Sequence, residues 1–386
     1  MPLKNRFAEM LPEITAWRRD FHANPELLFD VHRTAETVAD KLREFGCDEV
    51  VTGIGRTGVV GIIKGREEGR TIGLRADMDA LPITEATGKP YASQNAGKMH
   101  ACGHDGHTSM LLGAAKYLAE TRNFAGTAVV IFQPAEEGGG GGREMCEDGL
   151  MFRFGIEEVY GMHNWPGIPA GKFAIRPGGF FAATDQFEIV IHGRGGHAAK
   201  PHETTDPIVT ASHVVTAMQT IASRSVDPVH QVVVSVTSIE SSSKAFNVIP
   251  EKVTMKGTFR TLDKDVRHQT EERIKAVATQ SAAALGAVAE VKIYHGYPVM
   301  VNADENTVYA ADVARSLTGQ CDEAPLIMGG EDFAYMLEER PGAYILVGNG
   351  DSAPVHHPEY DFNDEIIPAG CSWFVGMVEA RLPLSA

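Results

Sequence analysis

The spacing of apolar and polar positions divides the chain into two kinds of segment. Apolar residues recur at helical intervals through 5–22 and again through 33–45. Short apolar runs bounded by glycine and charge then predict strands at 57–63, 71–76 (TIGLRA), 127–132 (TAVVIF) and 157–162 (EEVYGM). Between them, 108–120 places apolar residues at 110, 111, 114, 115 and 118, one face of a helix. Strands alternating with helices predict an α/β fold: an open mixed sheet that includes parallel strands, with helices on both faces.

The pattern changes at residue 183. QFEIVIHG reads as a strand, and a helix follows, opened by Asp206 at its N-cap and Pro207 at its first position. QVVVSVTSI and KVTMKGTFR are strands, 263–286 is a helix and AVAEVKIYH is a strand. The order β-α-β-β-α-β is that of the ferredoxin-like α+β motif, which can stand as its own domain. Beyond it the α/β pattern resumes, with a strand at 342–350 and a closing helix at 369–382. The prediction is a discontinuous domain, 1–182 with 296–386, carrying an inserted one at 183–295. RPGGFFAA and GYPVMVN are the crossing points.

Composition narrows the function. At 386 residues, 43% hydrophobic and 22% charged, the chain can bury a sizeable core. A net charge of −16 argues against nucleic acid or an anionic membrane as partner, because both need a basic face. Five scattered cysteines without C-x-x-C spacing fit a reducing compartment, and no run reaches transmembrane length. The expectation is a cytoplasmic enzyme.

Its chemistry gathers at strand ends. Asp77 and Asp79 follow TIGLRA, Glu136 and Glu137 follow TAVVIF, and His163 follows EEVYGM. His356 and His357 come soon after 342–350, and Cys102 and His104 precede the 108–120 helix. Ligands of open α/β sheets bind outside the carboxyl ends of the strands. Each residue alone has a bland reading: a lone buried histidine is usually a hydrogen-bonded core residue, and PAEEGGGGG could be an acidic loop. Together, a thiolate, imidazoles and carboxylates suit a transition ion such as Zn²⁺, Mn²⁺, Ni²⁺ or Co²⁺. Adjacent glutamates suit a division between one ligand and one free base.

Two other readings compete. GIGRTG at 53–58, with Asp77 and Asp79 about 20 residues on, matches a dinucleotide fingerprint, but a strand-like run follows where a helix is needed. Cys102 could be a nucleophile with His104 or His107 as its base, which would leave the glutamates and distant histidines idle.

The motifs MHACGHDGHTSMLLGAA, FQPAEEGGGG, GMHNWPG, GRGGHAAKPH, NVIP, MGGEDFAYM and HHPEYDFND resemble those of the aminoacylase/carboxypeptidase-type dinuclear metallohydrolases. The branch resembled holds hippurate hydrolases, N-acyl-amino-acid amidohydrolases and indole-acetyl-amino-acid hydrolases. The resemblance implies two divalent metal ions per subunit and hydrolysis of the amide bond of N-acyl-L-amino acids, with a dipeptidase or carboxypeptidase activity as the alternative. By motif it implies Cys102, His104, Glu137, His163 and His356 as metal ligands and Glu136 as general base. It implies His197 as a catalytic donor and Asn247 and Arg260 as substrate contacts, all on the inserted domain. That domain would act as lid and as the contact of a homodimer or higher oligomer. His197 could also be a loop residue without a role, serve its own subunit, or reach a partner's metals. ADMDALP departs from the wider family, because Asp77 stands where a ligand histidine is usual; the cysteine branch shares this, with Cys102 compensating.

Overall fold

A computed structural model of the chain describes residues 5–385. It opens with helices α1 (Asn5–Ala23) and α2 (His32–Glu44), then strands β1 (Glu49–Ile54), β2 (Gly58–Lys64) and β3 (Glu67–Asp77). Helix α3 (His104–Thr121), strand β4 (Ala125–Gln133), helices α4 (Gly141–Glu147) and α5 (Leu150–Arg153), and strands β5 (Glu158–Pro166) and β6 (Phe173–Ile175) follow. Short strand β7 (Gly178–Phe181) leads into β8 (Ala183–His192), β9 (Gly196–His197), α6 (Pro207–Thr220), β10 (Val232–Ser241), β11 (Val248–Ile249), β12 (Lys252–Thr261), α7 (Lys264–Ala284) and β13 (Val288–Tyr294). After β14 (Met300–Asn302) come α8 (Asp304–Thr318), β15 (Cys321–Glu323), α9 (Phe333–Glu339), β16 (Gly342–Gly350) and α10 (Ile367–Arg381).

Contacts divide the chain into two compact units. The larger runs to Gly178 and takes in Val301–Pro325 and the chain from Asp332. Its eight-stranded sheet has the order β1-β2-β4-β3-β5-β16-β6-β15. The centre, β4-β3-β5-β16, is parallel, whereas β2 joins β4 and β6 joins β16 antiparallel. Strand alternation sorts the side chains by face. Ile72, Leu74 and Ala76 of β3 enter the main core with Phe7 and Ile14 of α1, Leu111 of α3 and Trp373 of α10. Arg75 and Asp77, two residues apart, lie on the opposite side of the strand. There α4 and α9 pack on each other and against β4 and β5. The run after GIGRTG is strand β2, paired along β4, so the dinucleotide reading fails for want of a helix.

The smaller unit spans Gly179–Met300 and also holds Leu326–Glu331, a segment that no periodicity marks. Ile327 secures it, donating its N–H to Phe180 O (3.0 Å) and accepting from Ala182 N–H (3.0 Å). Its sheet, in the order β10-β12-β8-β13, is antiparallel throughout. Helices α6 and α7 cover one face through Val214, Met218, Ile274 and Ala278, packed on Phe187, Ile189 and Phe259. Asp206 caps α6 and Asp263 caps α7, each carboxylate accepting two backbone N–H groups of the first turn. This is the ferredoxin-like arrangement, with the strand between the two parallel ones coming third in sequence.

Candidate metal centre

The carboxyl ends of β3, β4 and β5 and the start of α3 lie side by side in the larger unit. Gly103 precedes α3 with φ +88°, and His104 is the first helical residue. The helix therefore begins four residues earlier than its apolar face predicts, and its first turn carries the reactive groups. His163 lies within β5, opposite Leu346 of β16, so the strand runs through it.

These elements bring Cys102, His104, Glu136, Glu137, His163 and His356 together. Ligand atoms of Cys102, His104 and His163 lie within 4.8 Å of one another, as do those of Cys102, Glu137 and His356, and those of His104, Glu136 and Glu137. Cys102 Sγ is 3.3 Å from His163 Nε2, and His356 Nε2 is 3.2 Å from Glu137 Oε1. His356 holds a left-handed backbone, φ +66°, with its N–H on Ala101 O at 2.7 Å. His357 is turned to a local task, accepting the Glu359 N–H at Nδ1.

The twin-glutamate turn is built by Asp79, which the sequence marks only as one of several acids. One carboxylate oxygen accepts the Glu136 N–H (2.9 Å) and the other the Glu137 N–H (3.1 Å). Ala135 at φ +53° starts the turn, and a Cβ on Gly141 would stand 1.7 Å from Pro134 O, so the glycine run is a close-packed return.

The electrostatics point to cations. Burial pushes the Cys102 thiol well above its usual range, and the charges of Glu137, Glu136 and Asp77 add to it. The N-terminus of α3 favours an anion, but here burial and carboxylates outweigh it; a thiolate needs a positive ion beside it. Burial opposes a charge on His104, yet Asp77, Asp79 and Glu137 raise it to about 10. His104 is buried with neither ring nitrogen in a hydrogen bond; its nearest carboxylate oxygen, on Asp79, is 3.5 Å away. A buried imidazole left so, between a thiol and acids, fits a metal ligand.

Asp77 is committed elsewhere. Burial raises its pKa, but His104, Arg75 and His107 hold it well below the usual carboxylate range. Its carboxylate takes Arg75 Nη1 at 2.6 Å and His107 Nδ1 at 2.7 Å. Arg75 also reaches Asp332 (3.0 Å), which accepts from Gln133 and the Gly142 N–H. Both nitrogens of His107 are engaged, so it is free neither as ligand nor as base for Cys102.

The remaining predicted residues lie in the smaller unit. His197 and Asn247 share the β9–β11 ribbon: His197 pairs with Val248, and Ala198 N–H donates to Asn247 O (3.0 Å). His197 is exposed and accepts the Ala199 N–H at Nδ1 (3.0 Å), which leaves Nε2 to carry the proton. Arg260 is on β12, donating to Asp185 O (3.3 Å), Phe259 O (3.1 Å) and the Thr258 hydroxyl. It lines a cavity of about 530 Å³ with Glu188, Lys256 and Tyr294.

The model of peptidase family M20/M25/M40 matches residues 73–380. The chain is similar to a hippurate hydrolase of Campylobacter jejuni, 43% identical over 380 residues, 97% of this chain and 98% of that protein. It is similar to an N-acetyl-L-cysteine deacetylase of Bacillus subtilis, 42% identical over 351 residues, covering 91% and 83%. Among solved structures it resembles a dinuclear metal-binding M20 peptidase of Bacillus subtilis, with TM-score 0.87 at 35% identity, covering 97% and 99%.

Proposed function

The chain belongs to peptidase family M20/M25/M40, and from that membership we propose that it hydrolyses the amide bond of N-acyl-L-amino acids, giving a carboxylate and a free amino acid. The observation that carries the reading is the unpartnered, buried His104 among Cys102, Glu137 and His163, beside a second glutamate held in place by Asp79.

Two divalent ions, of Zn, Mn, Ni or Co, fit the donor set. Cys102, His104, Glu137, His163 and His356 would hold them, Cys102 standing within reach of both the His104–His163 and the Glu137–His356 donors. Bound there, such ions would supply Lewis-acid polarisation and lower the pKa of a water towards about 7. Glu136 takes the proton of the attacking water and passes it to the leaving nitrogen, work worth about 10²–10⁴-fold. His197 donates from Nε2 to the developing oxyanion, and Arg260 with Asn247 holds the free carboxylate of the substrate. The larger unit is the catalytic domain and the smaller a lid. The smaller unit is also the contact of a homodimer: β10 is an edge strand with Val233 and Ile239 exposed. Five free cysteines suit a reducing, cytoplasmic setting.

The test is elemental analysis of protein purified without added metal, then chelation and add-back, assayed on N-benzoyl, N-acetyl and indole-acetyl amino acids. Hydrolysis that survives verified metal loss overturns the reading. One observation favours a second: Cys102 Sγ faces His163 Nε2 at 3.3 Å, a thiol–imidazole pair. Alkylation that abolishes activity in the metal-free protein would establish that cysteine-nucleophile reading instead.

A further inference from the structure

Asn164 follows His163 in β5 and has every polar group of its own in use. Its side-chain N–H groups reach Cys102 O (2.7 Å) and His107 Nε2 (3.0 Å). Its Oδ1 accepts the Tyr360 hydroxyl (2.6 Å). Because Cys102 O can only accept and the hydroxyl completes the other end, the orientation of the amide is fixed. On the main chain, the Asn164 N–H donates to His107 Nε2 (2.9 Å), and the Asn164 carbonyl accepts His163 Nδ1–H (2.5 Å).

Each bond fixes a group at the centre. A proton on His163 Nδ1 leaves Nε2 as a lone pair facing Cys102. Two N–H donors converging on His107 Nε2 require its proton on Nδ1, where it meets Asp77 Oδ1. The hold on Cys102 O fixes the backbone of the thiol-bearing residue itself. Asn164 and Tyr360 are fully buried, and Gly103 leaves room for both: a Cβ there would stand 2.2 Å from Asn164 Nδ2 and 2.5 Å from the Tyr360 hydroxyl oxygen.

We infer that the Asn164 side chain, backed by His107 and Tyr360, is the positioning group of the metal centre: its amide sets the direction of Cys102, while the main-chain carbonyl at the same position sets the coordinating nitrogen of His163. The inference rests on the metal reading above. Partners of this kind behind metal ligands change metal affinity or activity about 10–100-fold when removed.

The test uses the full-length protein loaded with Co²⁺, whose thiolate-to-cobalt absorption reports the Cys102 bond whether or not a substrate is known. Asn164→Leu keeps the volume and removes the amide. It is expected to bind Co²⁺ about 10–100-fold more weakly by chelator competition and to lose intensity in the thiolate band. In catalysis kcat should fall while KM stays near wild type. His107→Gln, which can still offer an acceptor to Asn164, should keep more of the band than His107→Ala. A purely structural role would lower melting temperature and leave the band unchanged. Should Asn164→Leu not fold, Tyr360→Phe carries the test, with Co²⁺ binding about fivefold weaker, as loss of one buried hydrogen bond implies. A folded variant with wild-type affinity and band overturns the inference alone. Wild-type protein without a thiolate band overturns the metal reading and the inference with it.

Discussion

Two neighbouring glutamates of one chemical type can do different work only if something outside them breaks the symmetry. Asp79 fixes the turn in which they stand by taking both of their N–H groups, and His356 then singles out Glu137, with Nε2 3.2 Å from its carboxylate. Glu136→Gln is expected to retain metal and lose at least about 100-fold in turnover, because a base is removed while the ligands stay. Glu137→Gln should lose metal as well. Metal analysis beside kcat separates the two, and exchanged behaviours would reverse the roles. Asp79→Ala should lose both properties together and melt lower, since it strands two backbone donors. Residues of this scale were legible in sequence where type alone signals chemistry, as with Cys102, His104 and the glutamates. Asn164 and Tyr360 were not: asparagine and tyrosine are ordinary after a strand or in a loop, and only the fold joins positions so far apart.

Long elements announce themselves because a helix of four turns or a buried strand repeats its pattern several times. Strands β6 and β15, three residues each, repeat nothing, so the far edge of the large sheet was invisible. The antiparallel entry of β2 and β6 was equally hidden, since strand direction leaves no mark on alternation. At the base of β5, Glu158 receives Arg381 of α10 through two bonds (2.7 and 2.9 Å) and Arg70 at 2.8 Å. Burial works against its charge, but Arg381, Tyr160 and Arg70 lower its pKa to about 2. A carboxylate depressed in the folded state adds stability above its unfolded pKa, and this is lost as pH falls towards the folded value. Glu158→Gln should therefore melt below wild type at neutral pH, with the gap closing between about pH 4.5 and 2. A gap independent of pH would show that packing, not charge, ties α10 to the sheet.

For the whole molecule, the β-α-β-β-α-β order was legible because each element is regular, whereas Leu326–Glu331 joined the small unit without any pattern to betray it. If His197 serves a partner's centre, His197→Ala and Glu136→Gln homodimers should each be nearly inactive with metal retained. After subunit exchange, half the dimers are hybrids with one intact site each, so roughly a quarter of wild-type activity should return. No recovery after proven exchange would assign His197 to its own subunit. Metal should also stabilise the fold by mass action: at an ion concentration of about 100 times Kd the gain is about 2.7 kcal/mol, visible as a melting temperature that rises with added ion.

The hydrogen bond between Tyr360 and Asn164 joins residues made far apart in time. Cys102 leaves the synthetic machinery roughly 250 residues before His356 and Tyr360. At about 5–20 residues per second, that is an interval on the order of 10–50 s. For most of it, once His163 has been made, the nascent chain carries a thiol and two imidazoles whose last partners do not yet exist. With His356 as the proposed ligand, metal loading would be a late event in the life of each chain, and chains stalled before residue 356 should emerge unable to retain the ion.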